Sequence, residues 1–323
     1  MAEPAVTPTP SPSNEEKIET VSKILNANRG NEAAFPMTVA RGIWDQAMHG
    51  SVVQQLAGSI PVSINGTAIP IPLGQPTAGI VQEGGVKPVG TIETKVKTVK
   101  PVKAALMILY SMETAQADPL GEYSRIRSSL SEGIARAIDT AVIHGKDANT
   151  GEAIIGGGEA LASTKNVTSI DLKSTKVGYL TTQLASAYEA VTLADEEYGF
   201  DHFLLAPKFR SPLITAVDGN GQPLYQTSPD LTNQFSSVLG VPAVYHRAVQ
   251  GYEKAKDDTI LGIGGDFKDA LRLGFVESIT FRKASERAGG IDLFDRNLGA
   301  ILAEVQFGWV LRDPSAFVKL ATA

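Results

Sequence analysis

Few side chains in this sequence stand where chemistry would need them. Asp195, Glu196 and Glu197 are consecutive acids that could hold a hard cation, but neighbours at a helix end point in different directions and read better as a solvated acidic cap. Gly262-Ile263-Gly264-Gly265-Asp266 follows a strand-like run and faintly resembles a phosphate cradle. It lacks the third glycine at the required spacing and precedes another apparent strand, which favours a tight turn. His49, His144, His202 and His246 lie far apart, a pattern that suits packing or surface positions better than a metal site. With no cysteine, thiolate nucleophiles, zinc–thiolate sites and disulfides are excluded, and a reducing cytoplasm is the compartment that fits. Nucleophile elbow, Walker loop, paired zinc histidines and dinucleotide fingerprint are all absent. Asn65-Gly-Thr and Asn166-Val-Thr match the glycosylation pattern, but that compartment makes the match accidental. No cofactor is implied.

The elements that would position any site are clearer than the site. At 323 residues and 43% hydrophobic content the chain can bury two lobes. No apolar run reaches the length of a membrane span, and the N-terminus lacks the blocks of a secretory signal. A net charge of −6 argues against wholesale nucleic-acid binding. From Asp118 to Gly145 the spacing predicts one long helix. Asp118 can cap its first amides, Pro119 fits the first turn, and Gly145 can close it. Leu120, Tyr123, Ile126, Leu130, Ile134, Ala137, Ile138, Ala141 and Val142 recur at steps of three and four and make its dry face. Glu122, Arg125, Arg127, Ser128, Glu132, Arg136 and Asp139 make its wet face, over a length of roughly 40 Å.

Before this helix the text is β-like. Val62, Ile64, Ile69, Ile71, Ile80 and Val81 are interrupted by Pro70, Pro72 and Pro76, a density that suits edge strands. Gly84-Gly85-Val86-Lys87-Pro88 reverses the chain, and an alternating strand with Lys95 and Lys97 returns. Such a ribbon is marginal alone and must lie on something else, in its own chain or in another copy. Residues 1–16 are proline-rich and polar and read as an arm. Trp44 and Met48 are expected anchors in a stretch of mixed character. After the long helix, a second helix at 174–197 with Val177, Leu180, Leu184, Tyr188 and Val191 inward, a buried strand at 202–206, a short helix at 207–217 and a strand at 239–244 make an α/β lobe. Strand character returns at 259–263, 270–281 and 298–311.

The order of these parts resembles the major capsid proteins of tailed bacteriophages, the Hong Kong 97 type. The local markers are Glu83-Gly84-Gly85-Val86-Lys87-Pro88, Leu239-Gly-Val-Pro, Gly265-Asp266-Phe267 and the ending Arg312-Asp-Pro-Ser-Ala-Phe-Val-Lys-Leu. The resemblance covers nearly the whole chain and implies an α+β fold in named parts. These are an N-terminal arm at 1–34, a first peripheral segment at 35–60 and an extended hairpin loop with flanking strands at 61–109. A peripheral domain with the spine helix at 110–173, an axial domain at 174–270 and C-terminal peripheral strands at 271–323 complete it.

The resemblance further implies self-assembly as hexamers and pentamers into an icosahedral virion shell around double-stranded DNA, without sequence-specific contacts and without a membrane. The loop residues Glu83, Gly84, Gly85, Lys87, Pro88, Lys95 and Lys97 would reach a neighbouring subunit. Some relatives crosslink, a loop lysine attacking an asparagine amide while a glutamate takes up protons. Here Lys87, Asn297 and Glu304 match that set, and the chemistry needs Glu304 to have a raised pKa in an apolar pocket. The short polar segment before Phe35 leads us to expect a separate scaffolding protein or scaffold-free assembly, beside a portal and a decoration protein. Two other readings remain open at this level, an encapsulin-like nanocompartment shell and a soluble α/β enzyme with an unrecognised site.

Overall fold

The computed structural model of the chain describes residues 50–73, 78–83, 86–87, 89, 93–113, 122–174, 176–193, 198–218, 220, 222, 224–225 and 237–323. The arm at 1–34, Trp44, Met48, His49, the helix start at Asp118 and Pro119, the acids Asp195, Glu196 and Glu197, and Gly84, Gly85 and Pro88 lie outside the described residues. In chain order the first elements are α1 (Val52–Leu56), β1 (Gly58–Ser59), β2 (Thr67–Leu73), β3 (Glu93–Val99), β4 (Val102–Ser111) and α2 (Glu122–His144). Then come β5 (Asn166–Ile170), α3 (Tyr179–Thr192), β6 (His202–Leu205), α4 (Arg210–Thr215), β7 (Ser237–Val238), β8 (Val241–Tyr245) and β9 (Ile260–Gly265). The chain finishes with α5 (Phe267–Ala270), β10 (Leu271–Ala284), β11 (Arg287–Ala288), β12 (Ile291–Asp292), β13 (Leu298–Leu311) and β14 (Phe317–Thr322).

The long amphipathic pattern becomes the 23 residues of α2. Leu130, Ile134, Ile138, Ala141 and Val142 are buried along it, as their spacing requires. Gly145 ends it at φ +66°, and its N–H donates to the Ala141 carbonyl at 2.9 Å, a left-handed closure that costs glycine nothing. Asp139 corrects the reading of the wet face. It is fully buried, because residues 51–53 sit on that part of the helix.

Helix α2 packs on β4, the edge of a four-stranded sheet ordered β1-β10-β13-β4. Its centre is the antiparallel pair β10–β13, with Leu271 opposite Leu311, Ala284 opposite Ala300 and register shifts between Phe275 and Thr280. A second sheet has six strands in the order β5-β14-β9-β6-β8-β7, with β5–β14 and β6–β8 parallel. Strands β6 and β9 form its dry centre, where Phe203, Leu204, Leu205, Ile260, Leu261 and Ile263 are buried. Helix α3 covers β5 and β14, with Leu180, Leu184, Ala187 and Val191 inward. Val177 precedes the helix and is exposed, and Tyr188 is half out, its ring centroid 5.0 Å from that of Phe200. These two differ from the expected inward set.

The glycine-rich run at 262–266 is neither cradle nor tight turn. It is β9 itself, and a Cβ on Gly262 would lie 2.7 Å from Leu205 Cδ2, so the β6 side chain closes over the strand. Strand β14 joins the six-stranded sheet between β5 and β9, so the chain leaves that sheet through α5, runs β10 and β13, and returns. One buried cluster therefore joins α1, α2 and both sheets. No described helix is long and apolar enough to cross a membrane.

Candidate functional site

The strands β2 and β3 form a two-stranded ribbon apart from the two larger sheets. The strands pair antiparallel from Thr67 opposite Val99 to Leu73 opposite Glu93. Opposed residues share a face, so Val99, Lys97 and Lys95 follow one another outward on one side. Val99 is buried with Val62 and Val310 and roots the ribbon. Lys97 places its Nζ 2.9 Å from Glu159 Oε2 and 2.8 Å from the Leu311 carbonyl. It is thus bonded within its own protomer. Lys95 is exposed.

Beyond the paired strands, Ile80, Val86 and Val89 are all more than 90% exposed, among the exposed Glu83 and Lys87. These three aliphatic side chains take no part in this chain's own core.

The three residues of the crosslinking set are not brought together in one protomer. Lys87 is exposed on the ribbon. Asn297 closes the turn before β13 at φ +53°, donating its side-chain amide to Glu113 Oε1 at 3.2 Å, while its carbonyl accepts from the Met112 N–H at 2.9 Å. Glu304 stands seven residues further along β13, about 23 Å away at the strand rise. Its Oε1 is 2.6 Å from Lys103 Nζ, in an open slot of about 130 Å³ that Arg282 and Glu277 also line. The Lys103 hydrogen bond, with the charges of Lys103 and Arg282, holds its carboxyl below the usual range, opposite to what proton uptake needs. As arranged within one chain, Glu304 is an ion-pair member and not a base.

One titratable group that the structure perturbs strongly, Asp139, was missed in sequence. Asp139 Oδ1 accepts from the Ser51 hydroxyl at 2.7 Å and the Val53 N–H at 3.1 Å, and Oδ2 accepts from the Val52 N–H at 3.3 Å. Burial pushes its pKa up to about 7 in spite of these bonds. His246 Nδ1 lies 3.9 Å from Oδ2, with its own pKa lowered by burial. In sequence it stands on the side of α2 opposite Leu130, Ile134 and Ala141, and it is residues 51–53 that cover it.

The remaining candidates have structural roles. His144 Nε2 is 3.0 Å from the Ala248 carbonyl, and burial lowers its pKa. The Asn166 side-chain amide donates to the carbonyls of Ser315 at 3.0 Å and Phe317 at 3.3 Å, holding β5 beside β14. Among the described residues no group of three His, Cys, Asp or Glu could hold a metal.

Two sheets on one core, a long helix and a projecting ribbon with an uncovered apolar tip define an assembling structural subunit, whose working parts are surfaces. Residues 33–322 match the phage capsid family, and the chain belongs to it. It is 27% identical over 291 residues to the "Probable major capsid protein gp17" of Mycobacterium phage L5, covering 87% of each chain. A solved structure from Gordonia phage Cozz superposes with a TM-score of 0.73 at 29% identity, covering 100% of this chain and 98% of that one. One from Mycobacterium phage Ogopogo shares the fold at a TM-score of 0.67 and 22% identity, covering 94% and 99%.

Proposed function

We propose that this chain is the major capsid protein of a tailed bacteriophage, assembling as hexamers and pentamers into an icosahedral head shell around double-stranded DNA. The carrying observation is a family match that spans residues 33–322. Relatives named as major capsid proteins, covered over most of their length, support it. A structural role follows, and the enzyme reading falls with it. The encapsulin-like alternative is not favoured, because the similar proteins are those of phages.

In finer detail we read the fold as the Hong Kong 97 type. The long helix α2 with the four-stranded sheet would be the peripheral part, the six-stranded sheet with α3 the axial part, and the ribbon the extended loop. The exposed aliphatic tip and Glu83, Lys87 and Lys95 would lie on the neighbouring copy, burying area that one chain leaves in water. A separate scaffolding protein, a portal and a decoration protein are the further partners of this reading. The net charge of −6 suits a wall that must not trap incoming DNA.

Electron microscopy of the chain expressed alone tests the reading. Closed shells or capsomer-sized rings are the expected result, rings without shells pointing to a missing scaffold. A monomer at every concentration and salt would return the enzyme reading to the front.

A further inference from the structure

We propose that Lys97 is a positioning residue for assembly: with Glu159 and the Leu311 carbonyl it clamps the β2–β3 ribbon at one angle to the body, so that the ribbon is aimed before it meets a second copy of the chain. The consequence for assembly rests on the shell reading. The clamp itself rests on the geometry of one chain.

The root of the ribbon fixes its place but not its direction. Val99, 1% exposed, packs with Val62 and Val310. Ile69 packs against the same cluster and Ile71, opposite Lys95, is 6% exposed, so apolar contact continues along the β2 side of the ribbon, but contact of this kind is non-directional. Lys97 lies two residues further out, about 7 Å along the strand. Its ammonium donates to two acceptors on different parts of the body, the Glu159 carboxylate at 2.9 Å and the Leu311 carbonyl at 2.8 Å. Hydrogen bonds have angular preferences that packing lacks, and two of them from one nitrogen define a direction. Further out, Thr94, Lys95 and Val96 are exposed.

Both acceptors are themselves held. The Glu159 carbonyl accepts from Trp309 Nε1 at 2.9 Å, and Trp309, 1% exposed, stacks on Phe307 with ring centroids 5.8 Å apart. Gly157 lies so close to the same indole that a Cβ there would be 2.5 Å from Cη2, so the loop carrying Glu159 is moulded onto the ring. Next to Leu311, the Arg312 N–H donates to the Ala270 carbonyl at 2.7 Å. The line from core to ribbon is therefore continuous, from Trp309 through Glu159 to Lys97. A closed shell needs every copy to present its ribbon in the same direction, whereas a ribbon swinging on its root would meet neighbours at many angles.

The chain has no cysteine, so Thr94→Cys and Lys165→Cys put two spin labels on exposed positions of ribbon and body without a background. Double electron–electron resonance then reads their separation in the full, unassembled chain. We expect a narrow distribution that Lys97→Met broadens roughly twofold and Lys97→Arg restores, the thermal midpoint moving by no more than a few degrees. Glu159→Gln, which leaves the Leu311 bond in place, should broaden it less, and carries the test if Lys97→Met does not fold. In assembly Lys97→Met should lose closed shells of the parent diameter to open or irregular particles. An unchanged label distribution in both variants overturns the clamp, whatever the particles look like. Broadening with shells of parental size and yield overturns its role in assembly. Failure of the parent chain to form any particle overturns the shell reading instead, and the label distances still decide the clamp.

Discussion

Asp139 and Lys97 each tie an outlying part of the chain to its body, one from inside the core and the other near the surface. Asp139 is fully buried and accepts three hydrogen bonds from residues 51–53, at the start of the described chain. Lys97 is 20% exposed and holds the ribbon through a glutamate that is itself more than half exposed. A charge taken out of water must be fully compensated or change its protonation, and Asp139, raised to about 7, does the second despite its three bonds. The Lys97 contact is partly exposed, so it is screened by salt. The difference teaches which segment belongs to the fold and which is only directed by it. Residues 51–56 are part of the main core, with Val52, Val53 and Leu56 buried, whereas the ribbon buries only Val99 and Ile71 among its described side chains and leaves Thr94, Lys95 and Val96 exposed.

The largest expected effect is at the buried anchor. Asp139→Ala leaves the Ser51 hydroxyl and the N–H groups of Val52 and Val53 without an acceptor in a dry site, and should destabilise the unassembled chain by about 3 kcal/mol in denaturant titration. A loss below about 1 kcal/mol would mean that water replaces the carboxylate and that the two anchors are alike.

Titration sharpens the contrast next. The Asp139 pKa is raised on folding from 3.8 to about 7, so the folded chain keeps a proton that the unfolded chain has released. Its stabilising contribution is complete below 3.8 and is lost as pH rises through about 7, a few kcal/mol at the most. His246, beside it, is held neutral by burial over the upper part of that window, while Arg136 and Glu132 pair with each other on the outer turn of α2. Asp139→Asn can still accept from Ser51 and Val53 and should flatten this part of the pH profile. Denaturant midpoints between pH 4 and 8 check it, and a profile unchanged by the substitution would assign the slope to other groups.

How much of this was legible in the sequence follows from the range of the forces involved. The helix α2, the buried strand β6 and the existence of the ribbon were readable, because periodicity and turn residues act over neighbouring positions, whereas the glycines of β9 were read as a turn. The return of β14 to the six-stranded sheet was not, since an apolar strand can pair with either sheet and the choice is made by β5 and β9, far away in the chain. Asp139 misled because a helix has two sides, and what covers the second side here comes from residues 86–88 positions earlier. Lys97 was grouped with its exposed neighbour Lys95 as part of the extended loop that the resemblance implies. That Val99 shares its strand face, and is buried, was the clue that the inner lysine turns toward the body. The role proposed for the ribbon rests on resemblance, since exposed aliphatic side chains do not identify a partner.

At the surface anchor the effects are smaller. Lys97→Met keeps the aliphatic stem and removes both hydrogen bonds, and should cost about 1 kcal/mol or less in the unassembled chain. Raising the salt from 0.05 to about 0.5 M should loosen the ribbon in the parent chain toward the same state while leaving α1 in place. Hydrogen exchange at β2–β3 and at 52–56 measures both on one sample. Equal salt sensitivity of the two segments would erase the distinction between a fused segment and a directed one.

Lys87 marks the far limit of the series, a lysine on the ribbon that anchors nothing in its own chain. Lys87→Arg should leave the unassembled protein unchanged within about 0.5 kcal/mol. A single copy should also run as one band at 34.1 kDa under denaturing conditions, because Asn297 stands in the turn before β13, seven residues from Glu304, and Glu304 is held by Lys103. Any covalent ladder would then arise only after assembly, with the three groups drawn from different copies and Glu304 released from its partner so that its pKa can rise. The ladder, if it forms, should vanish in Lys87→Arg and form faster in Lys103→Met, which frees the carboxylate. A ladder in the unassembled chain would contradict the placement of these residues, and one that survives Lys87→Arg would move the nucleophile to another lysine of the ribbon, with Lys95 the first to test.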